Sequence, residues 1–211
     1  MIQARVFLGL LLSGSCLLVG MVEPAFAQSS LFNGPVDALP LQERVTLRQG
    51  RPIITGENGS YVARVLVNTT PAQAWSVLTD YSRYSSFLPN IASSQVLSSK
   101  GNERVVEQVD RRRVALFTIT SRIRISIVET PQSSYRFQLV EGDLQNLQGS
   151  WTIQPVSAYP GGPATQVLIT HQIQAEPKSG TPRNIFYNLF QSQLRANLDA
   201  ISQEIRRRGS V

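Results

Sequence analysis

The chain has 211 residues, which is enough for one domain with additional segments, and its formal net charge is +6. One cysteine and one histidine exclude an internal disulfide and a cysteine or histidine metal cluster, so no metal site is expected. The basic residues are scattered along the chain without a recognition motif, which argues against a nucleic-acid partner.

Residues 1–27 have the pattern of a secretory signal peptide. Arg5 lies in a short first segment, an apolar run follows over residues 6–22, and an Ala-Phe-Ala sequence ends at Ala27. We therefore expect cleavage between Ala27 and Gln28 and export to the periplasm or another extracytoplasmic lumen. The alternative is an uncleaved membrane anchor, although the apolar run is slightly short for a membrane span.

Residues 28–59 are predicted to form an N-terminal extension. Within it, two short apolar segments at residues 45–47 and 53–55 flank a polar stretch, a pattern that indicates a hairpin. The Asn-Gly pair that ends the extension is a strong turn signal. We place the start of the main domain just after this pair, so that the domain covers residues 60–209.

The main domain is predicted to contain one strand, two short helices and then a series of strands. Thr70, Pro71 and Gln73 form a capping box with proline at the first helical position, and a second short helix ends at Pro89. Strands are predicted where apolar and polar residues alternate between turn signals, at residues 61–67, 94–97, 104–109, 116–128, 135–139, 147–153 and 167–173. This order indicates an α+β fold with a curved antiparallel sheet of about six to seven strands.

A single long helix is predicted at residues 181–209. Thr181 is suited to the N-cap, Pro182 follows at the first helical position, and no further proline or glycine occurs before Gly209. One stripe of this helix is apolar and contains Phe186, Phe190, Leu194, Leu198, Ile201 and Ile205. Because a sheet with one apolar face needs a cover, we expect the helix to lie across its concave face.

Three segments carry a resemblance to a known superfamily. They are Pro-Ala-Gln-Ala-Trp-Ser-Val-Leu-Thr-Asp-Tyr at residues 71–81, which continues to Tyr84, Phe87, Leu88 and Pro89, and the segments at residues 140–144 and 147–151. Together with the terminal helix, they resemble the START-like (SRPBCC) superfamily, in particular its polyketide cyclase/dehydrase and coenzyme-Q-binding branch. The resemblance implies a helix-grip fold with an apolar cavity between the sheet and the long helix. The superfamily contains carriers, sensors and enzymes, so fold alone does not assign a function.

Two polar residues are expected to point into the apolar interior. His171 alternates with Ile169 and Ile173, and Asn197 interrupts the apolar stripe of the long helix. His171 is either a polar anchor or acid–base group of a cavity or a hydrogen-bonded core histidine. The predicted cavity residues are Phe87, Leu88, Phe117, Ile119, Phe137, Trp151, Ile169, His171, Phe186, Phe190, Leu194 and Asn197. The same residues could instead fill a packed core.

The chain has no nucleophile-elbow, phosphate-loop or dinucleotide motif, so no catalytic residue and no cofactor are predicted. Glu107, Glu141 and Asp143 are the candidate carboxylate partners of His171. We therefore predict an exported, non-catalytic carrier or sensor of a hydrophobic small molecule such as a lipid, isoprenoid, quinone or pigment. The alternatives are a cyclase- or dehydratase-like enzyme that uses the same cavity, and a packed structural or interaction module of the cell envelope.

Two arginine clusters have two interpretations each. Arg206, Arg207 and Arg208 form either a solvated helix end or a weak contact with an anionic membrane surface. The run at residues 111–113 is either a solvated hairpin tip or a contact for phosphate or lipid headgroups.

Overall fold

The computed structural model describes residues 34–114, 116–159 and 161–209. The predicted signal peptide, with its Ala27–Gln28 cleavage site, lies outside the described residues. In chain order the described elements are α1 (Leu41–Arg48), β1 (Ile53–Glu57), β2 (Ser60–Asn68), α2 (Pro71–Leu78), a 3-10 turn (Tyr81–Arg83), α3 (Tyr84–Phe87), β3 (Ile91–Lys100), β4 (Glu103–Val114), β5 (Phe117–Thr130), β6 (Ser134–Gly142), β7 (Leu144–Ser157), β8 (Ala164–Pro177) and α4 (Arg183–Gly209).

The strands form one antiparallel sheet in the order β1-β2-β8-β7-β6-β5-β4-β3. The predicted α+β helix-grip fold is therefore confirmed, with eight strands instead of six or seven. The additional strand is β1, which pairs with β2 at the edge of the sheet. The sheet thus begins at Ile53, before the predicted start of the main domain.

The predicted hairpin in the N-terminal extension is wrong. Residues 45–47 belong to helix α1, because a short apolar run cannot be assigned to a strand or a helix from its periodicity alone. The hairpin forms instead between β1 and β2. The Asn-Gly pair makes its turn, and both residues have positive φ angles, 53° for Asn58 and 89° for Gly59, as a tight two-residue hairpin requires.

The sheet buries apolar side chains on both faces. The concave face carries the main core, to which β2 contributes Tyr61, Ala63, Val65 and Val67. On the outer face, α1 covers a smaller cluster in which Leu47 packs with Val36, Leu66, Val156 and Leu168. This second cluster explains why the N-terminal extension is part of the folded unit.

Helix α4 covers the concave face as predicted, and it lies closest to β2, α2 and β1. Leu194, Leu198, Ile201 and Ile205 are buried, which confirms the C-terminal part of the predicted stripe. Phe186 and Phe190, in the first half of the helix, are only half-buried. The two halves of α4 therefore have different surroundings.

Ion pairs fasten the end of α4 to the region around α2. Arg207 and Arg208 both donate hydrogen bonds to Glu204, and Arg208 Nη2 also lies 2.8 Å from Asp80 Oδ2. Hydrogen bonding from Arg207, with a further contribution from Arg208, holds the pKa of Glu204 down to about 2. The charges of Arg207 and Arg208 thus serve contacts within the fold.

Candidate functional site

A row of aromatic side chains crosses three strands on the concave face. Tyr135 on β6, Trp151 on β7 and His171 on β8 are direct register partners. Directly opposed residues of antiparallel strands project from the same face, so the three rings lie side by side. The Trp151 and His171 rings are stacked with centroids 3.9 Å apart, and the Phe137 ring stacks on His171 at 5.7 Å.

The Phe137 ring packs against the backbone of Gly149, where no side chain occupies the space. A Cβ atom at this position would lie 2.7 Å from Cζ of Phe137 and 2.2 Å from the carbonyl oxygen of Gln172. Both distances are far below van der Waals contact, and the carbonyl is part of the neighbouring strand. A glycine is therefore required where the Phe137 ring meets β7 and β8.

His171 is buried and neutral. Its Nδ1 atom lies 3.3 Å from the carbonyl oxygen of Ser150, which accepts a hydrogen bond from the protonated nitrogen. Burial lowers the pKa of His171 to about 3, and the bond to Ser150 opposes this shift only partly. These contacts are those of a hydrogen-bonded core histidine.

The low pKa of His171 predicts that acid destabilises the domain. The unfolded-state value is near 6.5 and the folded-state value near 3, so below pH 6.5 the unfolded chain binds the proton more tightly. This contribution to stability is complete above pH 6.5 and is lost as the pH falls towards 3. We expect the Tm of His171→Gln to depend less on pH in this window than the parental Tm. Parallel Tm curves for the two proteins would contradict the assignment.

A buried carboxylate network, which was not predicted from the sequence, lies next to the aromatic row. Glu129 accepts a hydrogen bond from the hydroxyl of Tyr81 at 2.9 Å, and its other oxygen lies 3.2 Å from Arg104 Nη2. The hydroxyls of Tyr84 and Tyr135 are 3.5 Å apart. Burial raises the pKa of all three tyrosines, so their hydroxyls stay protonated. Glu129 continues the series of inward-facing Ile residues on β5, and this pattern would have predicted its inward position.

The carboxylates predicted as partners of His171 are used elsewhere. Glu107 and Glu141 form ion pairs with Arg124, and Asp143 accepts a hydrogen bond from the backbone nitrogen of Arg122 at 2.7 Å. Glu107 follows the buried Val106 directly, so strand alternation puts it on the outer face, away from His171. The predicted pairing of Glu107 with His171 is therefore wrong.

Several inward-facing apolar side chains remain only half-buried although they pack against the main core. Six of them come from β5, β6, β7 and the first half of α4. We call this set the apolar wall; it consists of Ile123, Leu139, Leu144, Trp151, Phe186 and Phe190. Within it, the rings of Phe186 and Phe190 stack at 5.5 Å, and Phe190 lies 6.1 Å from Tyr61.

Gln193 on α4 joins three parts of the chain beside the apolar wall. Its side-chain oxygen accepts hydrogen bonds from Asn90 at 2.7 Å and from Arg112 at 3.1 Å. Its side-chain nitrogen donates to the carbonyl of Pro89 at 2.9 Å. Arg112 also donates to the carbonyl of Leu189 at 3.3 Å, so a long side chain connects β4 to the helix.

Asn197 and Asp110 complete this polar junction. The side-chain nitrogen of Gln193 also donates a hydrogen bond of 2.7 Å to the side-chain oxygen of Asn197, the residue that interrupts the apolar stripe. Asp110 lies 3.5 Å from Nε of Arg112. Burial raises the pKa of Asp110, and the charge of Arg112 offsets part of this shift.

Two predicted cavity residues lie outside the core. Phe117 is 75% exposed and Ile119 is 48% exposed, because both are at the end of the β4–β5 hairpin. They alternate correctly with the inward-facing Ile123, but the hairpin extends beyond the cover of the core. The other predicted apolar residues do reach the interior: Leu88, Phe137, Ile169 and Leu194 are buried, and Phe87, Trp151, Phe186 and Phe190 pack against the core.

A separate groove lies on the outer face of the sheet. It has a volume of about 550 Å³ and spans β5, β6, β7, β8 and β2. Amide and hydroxyl side chains dominate its lining, which includes Gln138, Gln148, Gln174 and Ser150, and Gln148 donates a hydrogen bond to Gln174 at 2.6 Å. This groove lies on the opposite face from the apolar wall, and no sequence pattern indicated it.

Neither a membrane-spanning helix nor a metal centre emerges from the part of the chain that the structure describes. Across residues 34–114, 116–159 and 161–209, every helix is too short or too polar to cross a bilayer. Within the same ranges, His, Cys, Asp and Glu side chains do not come together in a group of three or more that could hold a metal ion.

An eight-stranded antiparallel sheet that curves around a long terminal helix, with short helices after its second strand, defines the helix-grip class. The chain belongs to the polyketide cyclase/dehydrase and lipid transport family, whose model matches residues 67–202. The match includes α2, strands β3 to β8 and most of α4, and therefore the whole apolar wall. A comparison with the curated proteins finds no match.

Solved structures share this fold at low sequence identity. A STAR-related lipid transfer protein from Xanthomonas axonopodis is 15% identical with a TM-score of 0.58, over 74% of this chain and 92% of that one. A START superfamily protein from Mycobacterium smegmatis is 14% identical with a TM-score of 0.57, over 75% and 99%. The Zhui aromatase/cyclase from Streptomyces sp. R1128 is 16% identical with a TM-score of 0.54, over 75% and 94%. These similarities establish the fold.

Proposed function

We propose that the protein is an exported, non-catalytic carrier or sensor of a hydrophobic small molecule such as a lipid, isoprenoid, quinone or pigment. The observation that carries this proposal is the apolar wall, whose inward-facing side chains are packed against the core on one side and still partly exposed on the other. Each Å² of apolar surface that a ligand and this wall remove from water contributes about 25 cal/mol. The family description, which includes lipid transport, supports the same class of ligand.

The polar junction beside the wall can orient such a ligand. Binding sites for apolar molecules usually combine an apolar lining with a few well-placed polar groups. Here Gln193 of α4 is hydrogen-bonded both to Asn197 and to Arg112 of β4. Arg112 also donates to the carbonyl of Leu189, which precedes Phe190 of the apolar wall. They match a ligand with one polar end, such as a carbonyl, hydroxyl or carboxylate.

The titratable groups of the interior support a binding role rather than acid–base catalysis. An efficient general acid or base has a pKa near the working pH. His171 stays neutral because burial lowers its pKa to about 3, and burial raises the pKa of Tyr81 and Tyr135. Glu129 is engaged by Tyr81 and Arg104. These groups hold the core together and do not form a proton-transfer pair.

One observation favours the second candidate, a cyclase- or dehydratase-like enzyme. Asp110 faces the polar junction, and burial raises the pKa of its carboxyl group above the ordinary value, which is a feature of carboxyl groups in active sites. Arg112, 3.5 Å away, would stabilise the carboxylate that remains after the transfer. This candidate therefore depends on Asp110, and Asp110→Asn tests it.

The test is to purify the protein from its native envelope, extract it with solvent and identify the extract by mass spectrometry. We expect a stoichiometric hydrophobic compound. Two adjacent β6 variants provide a matched pair, since Leu139 belongs to the apolar wall whereas Val140 is 55% exposed. Leu139→Gln should lose the compound and Val140→Gln should keep it, at comparable Tm.

Other outcomes are decisive as well. An empty extract, together with no binding of a fluorescent fatty acid by the purified protein, would contradict the carrier and support the packed structural or interaction module. Conversion of the extracted compound into a product, abolished in Asp110→Asn, would establish the enzyme.

A further inference from the structure

We propose that the end of the β4–β5 hairpin docks on the surface of an anionic phospholipid bilayer. The docking surface, called the hairpin tip here, consists of the exposed residues Arg111, Arg113, Leu116, Phe117 and Ile119. The proposal concerns a contact surface, and it does not depend on the identity of any ligand bound at the apolar wall.

The apolar part of the hairpin tip has no cover. Leu116 is 87% exposed and Phe117 is 75% exposed, and no other large apolar side chain in the described ranges is more exposed than these two. Ile119 follows on the same face of β5 at 48%. A contiguous apolar patch on a projecting loop indicates an interaction surface, because isolated exposed apolar residues are ordinary but a cluster is not.

The charged part of the hairpin tip selects the partner. Residues 111–128 contain five arginines and no aspartate or glutamate. Arg112 points towards α4, and Arg122 and Arg124 pair with Glu107, which leaves Arg111 and Arg113 for an external anion. No ion pair of Arg111 or Arg113 occurs within the described residues, and both face outward on β4.

Arg111 and Arg113 lie behind the apolar end of the hairpin tip. Arg113 is opposite Thr118 in the hairpin register and Arg111 is opposite Thr120, so both lie a few residues behind Leu116 and Phe117. At about 3.3 Å per strand residue, the arginines would reach the phosphate level when the apolar end enters the boundary of the acyl chains. A second copy of the chain is disfavoured as the partner, since a symmetric contact would bring four arginines together.

Docking at this position has a consequence for the apolar wall. The same hairpin contacts the first half of α4 through Arg112, so the bilayer would lie next to the wall. A lipid could then pass between membrane and protein without crossing water. This consequence depends on the proposed function, whereas the docking itself does not.

The docking is tested by co-sedimentation with vesicles of phosphatidylcholine mixed with phosphatidylglycerol. Each arginine near an anionic surface contributes about fivefold to partitioning, so Arg111→Gln with Arg113→Gln should weaken it by about 25-fold. Leu116→Ser with Phe117→Ser should weaken it at least about tenfold. All variants retain the same N-terminal segment, so its contribution to membrane binding cancels in the comparison.

Matched controls exist for both double variants. Arg51 and Lys100 are exposed cations away from the tip, since Arg51 precedes β1 and Lys100 pairs with Glu103 at the opposite end of β4. Leu97 and Val140 are exposed apolar residues on β3 and β6. Arg51→Gln with Lys100→Gln, and Leu97→Ser with Val140→Ser, should sediment like the parent. Equal sedimentation of tip and control variants would overturn the proposal. So would equal binding to phosphatidylcholine alone, or a tip-dependent dimer in light scattering without vesicle binding.

Discussion

Leu194→Asp should unfold the domain or bring it close to unfolding. Leu194 is 5% exposed and lies where α4 passes from the half-buried Phe190 to the fully packed Leu198. An unpaired carboxylate at a buried position costs about 3–5 kcal/mol, which is comparable to the whole stability of a marginal domain. We therefore expect a large drop in the urea midpoint, or loss of the cooperative transition, measured by far-ultraviolet circular dichroism.

Ser192→Asp is the control for this substitution. Ser192 lies on the exposed side of the same helical turn, so an aspartate there introduces the same charge into the same part of α4. Substitutions at such surface sites usually change stability by less than about 0.5 kcal/mol. A similar urea midpoint for Ser192→Asp and Leu194→Asp would mean that the face of α4 has been assigned incorrectly.

The position of Leu194 was accessible from the sequence because helix periodicity is strong over a long segment. The apolar stripe that ends at Ile205 repeats at helical spacing. The start of α2 was also predictable, because the backbone nitrogen of Gln73 donates to the Thr70 side chain as in the predicted capping box. Long alternating strands were equally clear. In these parts of the chain, local pattern and tertiary packing favour the same structure.

The elements that were assigned or paired incorrectly lack such a pattern. Helix α1 has only eight residues. Leu47, its only buried residue, packs against side chains of strands that are distant in sequence. Residues 53–55 of strand β1 were predicted as one strand of a hairpin, but with the wrong partner, because the turn at Asn58 and Gly59 pairs β1 with β2. For Phe117 the alternation was correct, but the residue is exposed because the β4–β5 hairpin extends beyond the core. A local sequence pattern does not show how far the core reaches along a hairpin.

The candidate site was predictable to the extent that strand parity defines it. The inward position of His171 follows from its isoleucine neighbours, whereas its stacking on Trp151 and Phe137 depends on the register of three strands. Register is set by turns and bulges across the whole sheet, so it cannot be read from one strand. The network around Glu129 was missed for the same reason, because its partners come from the 3-10 turn and from β4.

Glu129→Ala should destabilise the domain by about 3 kcal/mol, since it leaves buried donors without their acceptor. Glu129 is 8% exposed and receives the hydroxyl of Tyr81 and the guanidinium of Arg104. The expected result is a lower urea midpoint with an unchanged slope. Glu103→Ala provides the control, because Glu103 is an exposed carboxylate at the start of β4.

A double-mutant cycle separates the network from simple loss of packing. In the Tyr81→Phe background the hydroxyl that needs Glu129 is already absent, so Glu129→Ala should cost less than in the parent. Groups that share a hydrogen bond are typically coupled by about 0.5–3 kcal/mol. Strictly additive losses would show that Tyr81 and Glu129 do not stabilise each other, and that the carboxylate serves Arg104 alone. A coupling in the expected range would identify this network as the polar link between the 3-10 turn and the sheet.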